Sequence, residues 1–234
     1  MKFFISTITI AVINLILVEY TSGHGMMLSP PGRSSRWRFD SSAPINYNDN
    51  ENFCGGFGVQ YGPNGGKCGL CGDDYAQPTP RDNELGGKYG GNGVIVQTFE
   101  DTYTAVIGFK ITANHMGHLS YNLCDLDEFK EESEECFAKY TLKFADGSDK
   151  FYVGNTIGLI DTTVVLPSGL SCNHCVLRAT YTAGNNWGVC ENGVGAMGCG
   201  NQEMFKSCAD IRIVAPNSKK MSASETVYEA IPDV

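Results

Sequence analysis

Positive charge, histidine and long apolar runs are all scarce in this chain, and each scarcity excludes something. Seventeen Lys and Arg stand against twenty-six Asp and Glu, a formal net charge of −9. Such acidity repels phosphate backbones and anionic lipid headgroups, so nucleic acid is not an expected partner. Beyond one apolar run near the start, no stretch is long enough to cross a bilayer, and the C-terminal end carries no lipid-anchor signal. No membrane association is expected. No Asn-x-Ser/Thr acceptor occurs, which excludes ordinary N-glycosylation, and no internal repeat is visible.

The single apolar run follows Lys2 and extends from Phe3 to Val18, interrupted by small polar residues and Asn14. It reads as a secretory signal peptide, and the small residues Thr21 and Gly23 place cleavage between Gly23 and His24. The expected organisation is a signal peptide over 1–23, one domain over 24–215 and a flexible tail over 216–234, rich in Ser, Lys and Glu without apolar periodicity. Export makes the protein extracellular, and a monomer is expected. Ten cysteines in an exported chain read as five disulfides, with the pairing open. The Cys-x-x-Cys spacings at Cys68/Cys71 and Cys172/Cys175 raise a zinc site as the alternative, which an oxidising compartment disfavours.

From His24 to about Leu85 the chain is rich in Gly, Pro, Asn and Ser, the composition of a long loop region held by cysteines. Seven short β-branched or aromatic segments follow: Gly93–Phe99, Thr102–Ala113, His118–Leu123, Lys139–Phe144, Thr162–Leu166, Cys175–Thr182 and Cys208–Ala215. Their number and spacing predict an all-β fold, a β-sandwich with long disulfide-stapled loops. The acidic stretch Asp125–Glu135 reads as a helical turn or exposed loop with a solvated charged face.

Cleavage before His24 would give one residue two nitrogen donors, the free α-amine and the ring Nδ1, which can close a chelate on one metal ion. One further imidazole completes a tetragonal three-nitrogen set that suits Cu(II). Four histidines are present, His24, His115, His118 and His174. His174 lies between two cysteines, which leaves His115 and His118 in Thr-Ala-Asn-His-Met-Gly-His as candidates for the second ligand. A separation of three puts these on opposite faces of any continuous strand, and His115 shares a face with the small Ala113.

The chain resembles the lytic polysaccharide monooxygenases, most closely auxiliary activity family fifteen. The resemblance is carried by His24-Gly25, Arg33-Ser-Ser-Arg-Trp-Arg38, the Asn-Tyr-Asn-Asp-Asn-Glu segment leading to Phe53-Cys-Gly-Gly56, Cys68-Gly-Leu-Cys-Gly-Asp73, Thr112-Ala-Asn-His-Met-Gly117, Cys172-Asn-His-Cys-Val-Leu177, Thr182-Ala-Gly-Asn-Asn-Trp-Gly188 and Cys199-Gly-Asn-Gln-Glu-Met-Phe-Lys-Ser-Cys-Ala-Asp210. It implies an immunoglobulin- or fibronectin-like sandwich and one copper ion held by His24 and His115. It further implies an external small-molecule or protein reductant, dioxygen or hydrogen peroxide as co-substrate, and oxidative cleavage of crystalline chitin or cellulose. Chitin is the preferred substrate, with oxidation at the anomeric carbon.

Carried over by position, the family's axial aromatic falls on Phe205, which would block the axial direction with apolar bulk. Glu203, two residues earlier, is placed to steer the bound oxygen species, with Gln202 as its competitor. Ala179 and His118 stand where the family more often has aromatics. Trp37, Tyr47, Tyr61 and Trp187 are candidates for flat contact with sugar rings. The rival from another class is a non-catalytic chitin- or copper-binding protein with the same metal ligands; a hydrolase is weaker, since no carboxylate pair is picked out by spacing.

Overall fold

Alternation along the strands sorts side chains onto two faces, and two such sheets bury their apolar faces against each other in a computed structural model that describes residues 23–216. Residues 1–22 of the expected signal peptide over 1–23, and 217–234 of the expected tail over 216–234, lie outside the described residues. In β3 (Thr104–Ala113), Ala105, Ile107, Phe109 and Ile111 point inward, joined by Ile160 and Val164 of β8 (Gly158–Val165). These strands sit in a four-stranded sheet of order β1-β3-β8-β6, where β1 is His24–Ser29 and β6 is Lys143–Phe144.

The second sheet runs β2 (Gln97–Glu100), β12 (Met204–Val214), β9 (Cys172–Thr182), β4 (His118–Asp125), β5 (Tyr140–Thr141), with β7 (Phe151–Tyr152) also paired to β4. Its inward face carries Leu119, Tyr121 and Leu123 from β4, Leu177, Ala179 and Tyr181 from β9, and Phe205, Ala209, Ile211 and Ile213 from β12. Ala179 is thus a core residue where its small size lets the sheets close. One polar link crosses this core: Thr162 Oγ1 donates to the Tyr121 hydroxyl at 2.9 Å, so neither buried hydroxyl is left without a partner. A separate hairpin pairs β10 (Trp187–Val189) with β11 (Gly195–Met197).

The outer face of the second sheet is also covered. Val176, Cys124 and Cys208 pack there with Cys71, Cys136, Leu126 and Phe137, under the loops and two short helices, α2 (Leu126–Phe129) and α3 (Glu134–Lys139); a third, α1 (Phe57–Tyr61), precedes them in the chain. All ten cysteines are paired: Cys54–Cys68, Cys71–Cys208, Cys124–Cys136, Cys172–Cys175 and Cys190–Cys199. This removes the zinc alternative. Cys172 and Cys175 bond to each other, whereas Cys68 and Cys71 go to different partners.

The structure departs from the sequence reading in three places. Among the described residues twelve strands are present where seven are expected, because short pairs such as β5 and β7 lack any alternation to read. The segment read as loop from His24 contains β1, whose residues His-Gly-Met-Met-Leu-Ser include no β-branched side chain; it is a strand because β3 supplies its partner. The acidic stretch is not simply a solvated face. It forms α2 and α3, capped by Asp125 and Ser133, whose side chains accept from the Asp127 and Cys136 amides. Glu132 pairs with Arg33 at 2.7 Å, and Glu134 accepts from both Arg178 and the buried Lys206. Burial, aided by Arg178 and opposed by Glu134, lowers the Lys206 pKa to about 8.

Cys71–Cys208 closes a separation of 137 residues and ties the loop layer to β12. Replacing both cysteines by serine is expected to lower unfolding free energy by about 3–5 kcal/mol, read by urea or thermal denaturation, whereas the same change at Cys190/Cys199, nine residues apart, should cost less.

Candidate metal centre

Strand pairing brings the chemistry-bearing residues together. In the β1–β3 ladder His24 lies opposite Ala113, two residues before His115. Gly25 is required next to it: a Cβ there would stand 2.5 Å from Phe109 Cε1, so only glycine lets β1 lie over that ring. After Ala113 the chain leaves the strand, and His115 sits in the short link to β4. Met116 and Gly117 both take positive φ, and a Cβ on Gly117 would fall 2.0 Å from the Thr182 carbonyl oxygen. The link is thereby held against β9, with His115 N donating to the Tyr181 hydroxyl at 2.9 Å and Gly184 N to His115 O at 2.8 Å.

The His115 imidazole is buried, and its Nδ1 has no hydrogen-bond partner. The residue beside it is Gly23: a Cβ built there would meet His115 Nδ1 and Phe205 Cε2, each at 3.1 Å. Phe205 is fully buried at the floor, 6.3 Å between ring centroids from His24 and stacked on Tyr181 at 5.7 Å and Phe53 at 6.3 Å. Glu203 completes the wall, with Oε2 3.7 Å from His115 Nδ1 and accepting from Gly23 N at 3.2 Å. Burial holds the His115 pKa below the ordinary histidine value; the Glu203 charge opposes this and that of His24 adds to it. A buried, unpartnered imidazole nitrogen costs free energy in a closed core. Its presence beside a second histidine and a carboxylate suits a nitrogen-ligated metal.

The four predicted residues His24, His115, Phe205 and Glu203 are therefore neighbours. The competing Gln202 is engaged elsewhere: its amide oxygen accepts from Asn186 N and its nitrogen donates to Asn186 O and Cys199 O. His118 opens β4 on the outer face, its ring against Tyr152 at 5.8 Å. His174, bracketed by the Cys172–Cys175 disulfide, lies 2.8 Å from Asp210 and serves the core network. Two neighbours went unnoticed in the sequence reading. Glu51 Oε1 stands 3.3 Å from His24 Nε2, and Tyr181 supplies the hydroxyl that receives the His115 amide. Glu51 ends an Asn- and Asp-rich turn segment, a signal of local structure that says nothing of which strand the turn meets.

Comparison with known proteins shows the family of the chain. A family model described as lytic polysaccharide mono-oxygenase, cellulose-degrading, matches residues 24–211. Among solved structures, the lytic polysaccharide monooxygenase AA15 from Thermobia domestica in the Cu(I) state is 41% identical, spans 83% of this chain and 100% of its own, and has a TM-score of 0.77. A lytic polysaccharide monooxygenase from Kitasatospora papulosa is 14% identical over 82% of this chain and 98% of its own, with a TM-score of 0.39, too low to carry an argument. No curated protein sequence matches. The chain belongs to the lytic polysaccharide monooxygenases, copper-dependent oxidoreductases that cleave polysaccharides with a reductant and dioxygen or hydrogen peroxide. Within them it is a member of auxiliary activity family fifteen.

The packing of Phe205 against Tyr181 and Phe53 sets its contribution to stability. Phe205→Ala is expected to lower unfolding free energy by about 3–5 kcal/mol, the range for a large-to-small change in a closed core. Urea denaturation of the metal-free protein measures it, and Phe205→Leu, which leaves a smaller void, should lose less.

Proposed function

We propose that the protein is exported and cut between Gly23 and His24, and that the mature domain over 24–215 binds one copper ion through the His24 α-amine, the His24 ring Nδ1 and the His115 imidazole. The observation that carries this is the buried His115 Nδ1, which has no hydrogen-bond partner and packs against Gly23, the residue before His24. The family match that begins at His24 supports the same cut. Bound copper supplies the oxidising chemistry that hydroxylates a carbon at the glycosidic linkage. The chain's own residues hold that site rigid and shape access to it. Phe205 fills the direction beneath His24 with a ring that cannot ligate. Glu203 presents a carboxylate beside His115, placed to orient a small polar species and to exchange a proton with it. Among the described residues no helix is long and apolar enough to cross a membrane, and we read the mature protein as an extracellular monomer.

The substrate proposed is crystalline chitin in preference to cellulose, oxidised at the anomeric carbon. Tyr47 and Trp187 support contact with a flat polymer. Tyr47 is 79% exposed in the loop that leads to Glu51, and Trp187 is 67% exposed on the hairpin beyond the His115–Gly184 link. Gly195 is needed under the Trp187 ring, since a Cβ would lie 2.2 Å from its Cζ2. Tyr61, by contrast, spends its hydroxyl on Gln202 O at 2.8 Å, and Trp37 is partly covered by Arg38 at 4.7 Å. The loop expected to meet acetamido groups is narrower than its composition implies. Ser34, Ser35, Asp49 and Asn52 are buried, leaving Ser41, Ser42 and Asn48 exposed to pair with an amide donor and carbonyl acceptor.

Two outcomes are expected. The chain starting at His24 should bind one Cu(II) tightly by isothermal titration, and His118→Ala should retain that affinity. An added N-terminal residue or His115→Ala should abolish it; tight binding by the extended chain would overturn this histidine brace, the three-nitrogen set of His24 and His115. Incubated with reductant and either β-chitin or cellulose, the copper-loaded protein should release aldonic acids from chitin, detected by mass spectrometry. Aldonic acids from cellulose alone would reverse the substrate preference while leaving the copper reading intact.

A further inference from the structure

We infer that Glu51 is a positioning residue for His24: its carboxylate, 3.3 Å from His24 Nε2, fixes the proton on that nitrogen and leaves Nδ1 as the donor to copper. This deepens the histidine-brace reading above and rests on it. An imidazole has one lone pair to give in its neutral form, and the group facing one ring nitrogen decides which of the two is available. An anionic acceptor at Nε2 both selects the Nδ1-coordinating tautomer and strengthens Nδ1 as a donor. Only Nδ1 can close a ring with the α-amine of the same residue, so the tautomer matters here more than for an ordinary histidine ligand.

The loop around Glu51 is built to hold it in place. Gly25 N donates to Asn50 O at 3.1 Å, Glu51 N to Asn48 O at 3.0 Å and Phe53 N to Glu51 O at 2.8 Å. The Asn50 side chain donates to Thr112 Oγ1 of β3 at 3.0 Å. Asn52 donates through its side chain to Ser34 Oγ at 2.8 Å and accepts from Lys206 N of β12 at 2.9 Å. The residues on both sides of Glu51 are thus tied to β1, β3 and β12, the strands that carry His24, lead to His115 and carry Phe205.

The nearby carboxylates divide their work. Asp49 is buried and bound in a two-point contact by Arg38, at 2.6 and 2.9 Å, so it has no reach to spare for His24. Glu203 faces His115 and Gly23. That leaves Glu51 for His24. Its side chain is 39% exposed and that of His24 23%, so the pair stands at the edge of the copper face and not in the core, and its worth lies in orienting the ring more than in stabilising the fold.

The test uses the mature chain beginning at His24, with Glu51→Ala and Glu51→Gln. Cu(II) affinity is measured by isothermal titration, the copper environment by electron paramagnetic resonance, and the Cu(II)/Cu(I) midpoint potential by redox titration, with thermal melting of the metal-free proteins to show that both variants fold. Glu51→Ala is expected to weaken Cu(II) binding about 10-fold, to raise the midpoint potential because the higher charge state loses its more basic ligand, and to shift the resonance spectrum. Glu51→Gln, which keeps an acceptor oxygen without the charge, should fall between it and the wild type. If wild type binds copper through His24 and Glu51→Ala matches it in affinity, potential and spectrum, this inference fails alone, including the case in which only polysaccharide binding drops. If wild-type binding does not depend on His24, the brace reading and this inference fail together.

Discussion

The antiparallel pairing of β1 with β3 is the constraint on which the site depends. It places His24 opposite Ala113, so that the first strand residue and a histidine two positions beyond Ala113 converge on one pocket. The side-chain period of a strand is two, and a slip of one residue would turn His24 to the opposite face. Gly25 stands where the register shifts beside His24. It alone tolerates the close approach of Phe109, and its amide is taken by the Asn50 carbonyl. As the edge strand of its sheet, β1 has only β3 as a strand neighbour; its other side is held by the loop that carries Glu51.

That loop is in turn anchored through charges that the solvent does not reach. Arg33 makes a two-point contact with Asp210 at 2.8 and 2.7 Å and pairs with Glu132 at 2.7 Å, while His174 approaches Asp210 from the other side. Burial works against the Arg33 charge, yet Asp210 and Glu132 raise its pKa above the ordinary value. The Asp210 carboxyl, also disfavoured by burial, is held below its ordinary value by Arg33 and His174. Such a cluster contributes little net stability against an apolar replacement, but losing one member leaves an uncompensated buried charge. It acts as a register pin, joining the start of the loop layer, the acidic helices and the middle of β12. The Cys71–Cys208 bond lies within the same junction.

The acidity of the chain thus has a local meaning that the net charge conceals. Glu132 and Glu134 neutralise buried cations, Asp49 holds Arg38, Glu203 faces His115 and Glu51 faces His24. The exposed aromatics follow a similar division. Tyr47 and Trp187 remain open to solvent, whereas Tyr181 and Phe53 stack on the buried Phe205.

The sequence by itself determined the chemistry and the class of fold. A histidine after a leader-like apolar run, a second histidine two residues beyond a strand-end alanine, and an even cysteine count are local or compositional signals, readable without contacts. β-Branched and aromatic runs with partial alternation predicted the long central strands β3, β4 and β9, because residues of this kind are what a strand packed against a core needs. Tertiary structure alone decided the rest. His-Gly-Met-Met-Leu-Ser is a strand only because β3 lies beside it. Cysteine pairing follows from chain folding and not from spacing, so one Cys-x-x-Cys closes on itself and the other divides between Cys54 and Cys208. Gln202 is taken up by Asn186 and Cys199, which flank the β10–β11 hairpin, and Glu51 reaches His24 across 27 positions of chain. In each case the deciding partner is distant in sequence, and only the closing of the two sheets brings it within reach.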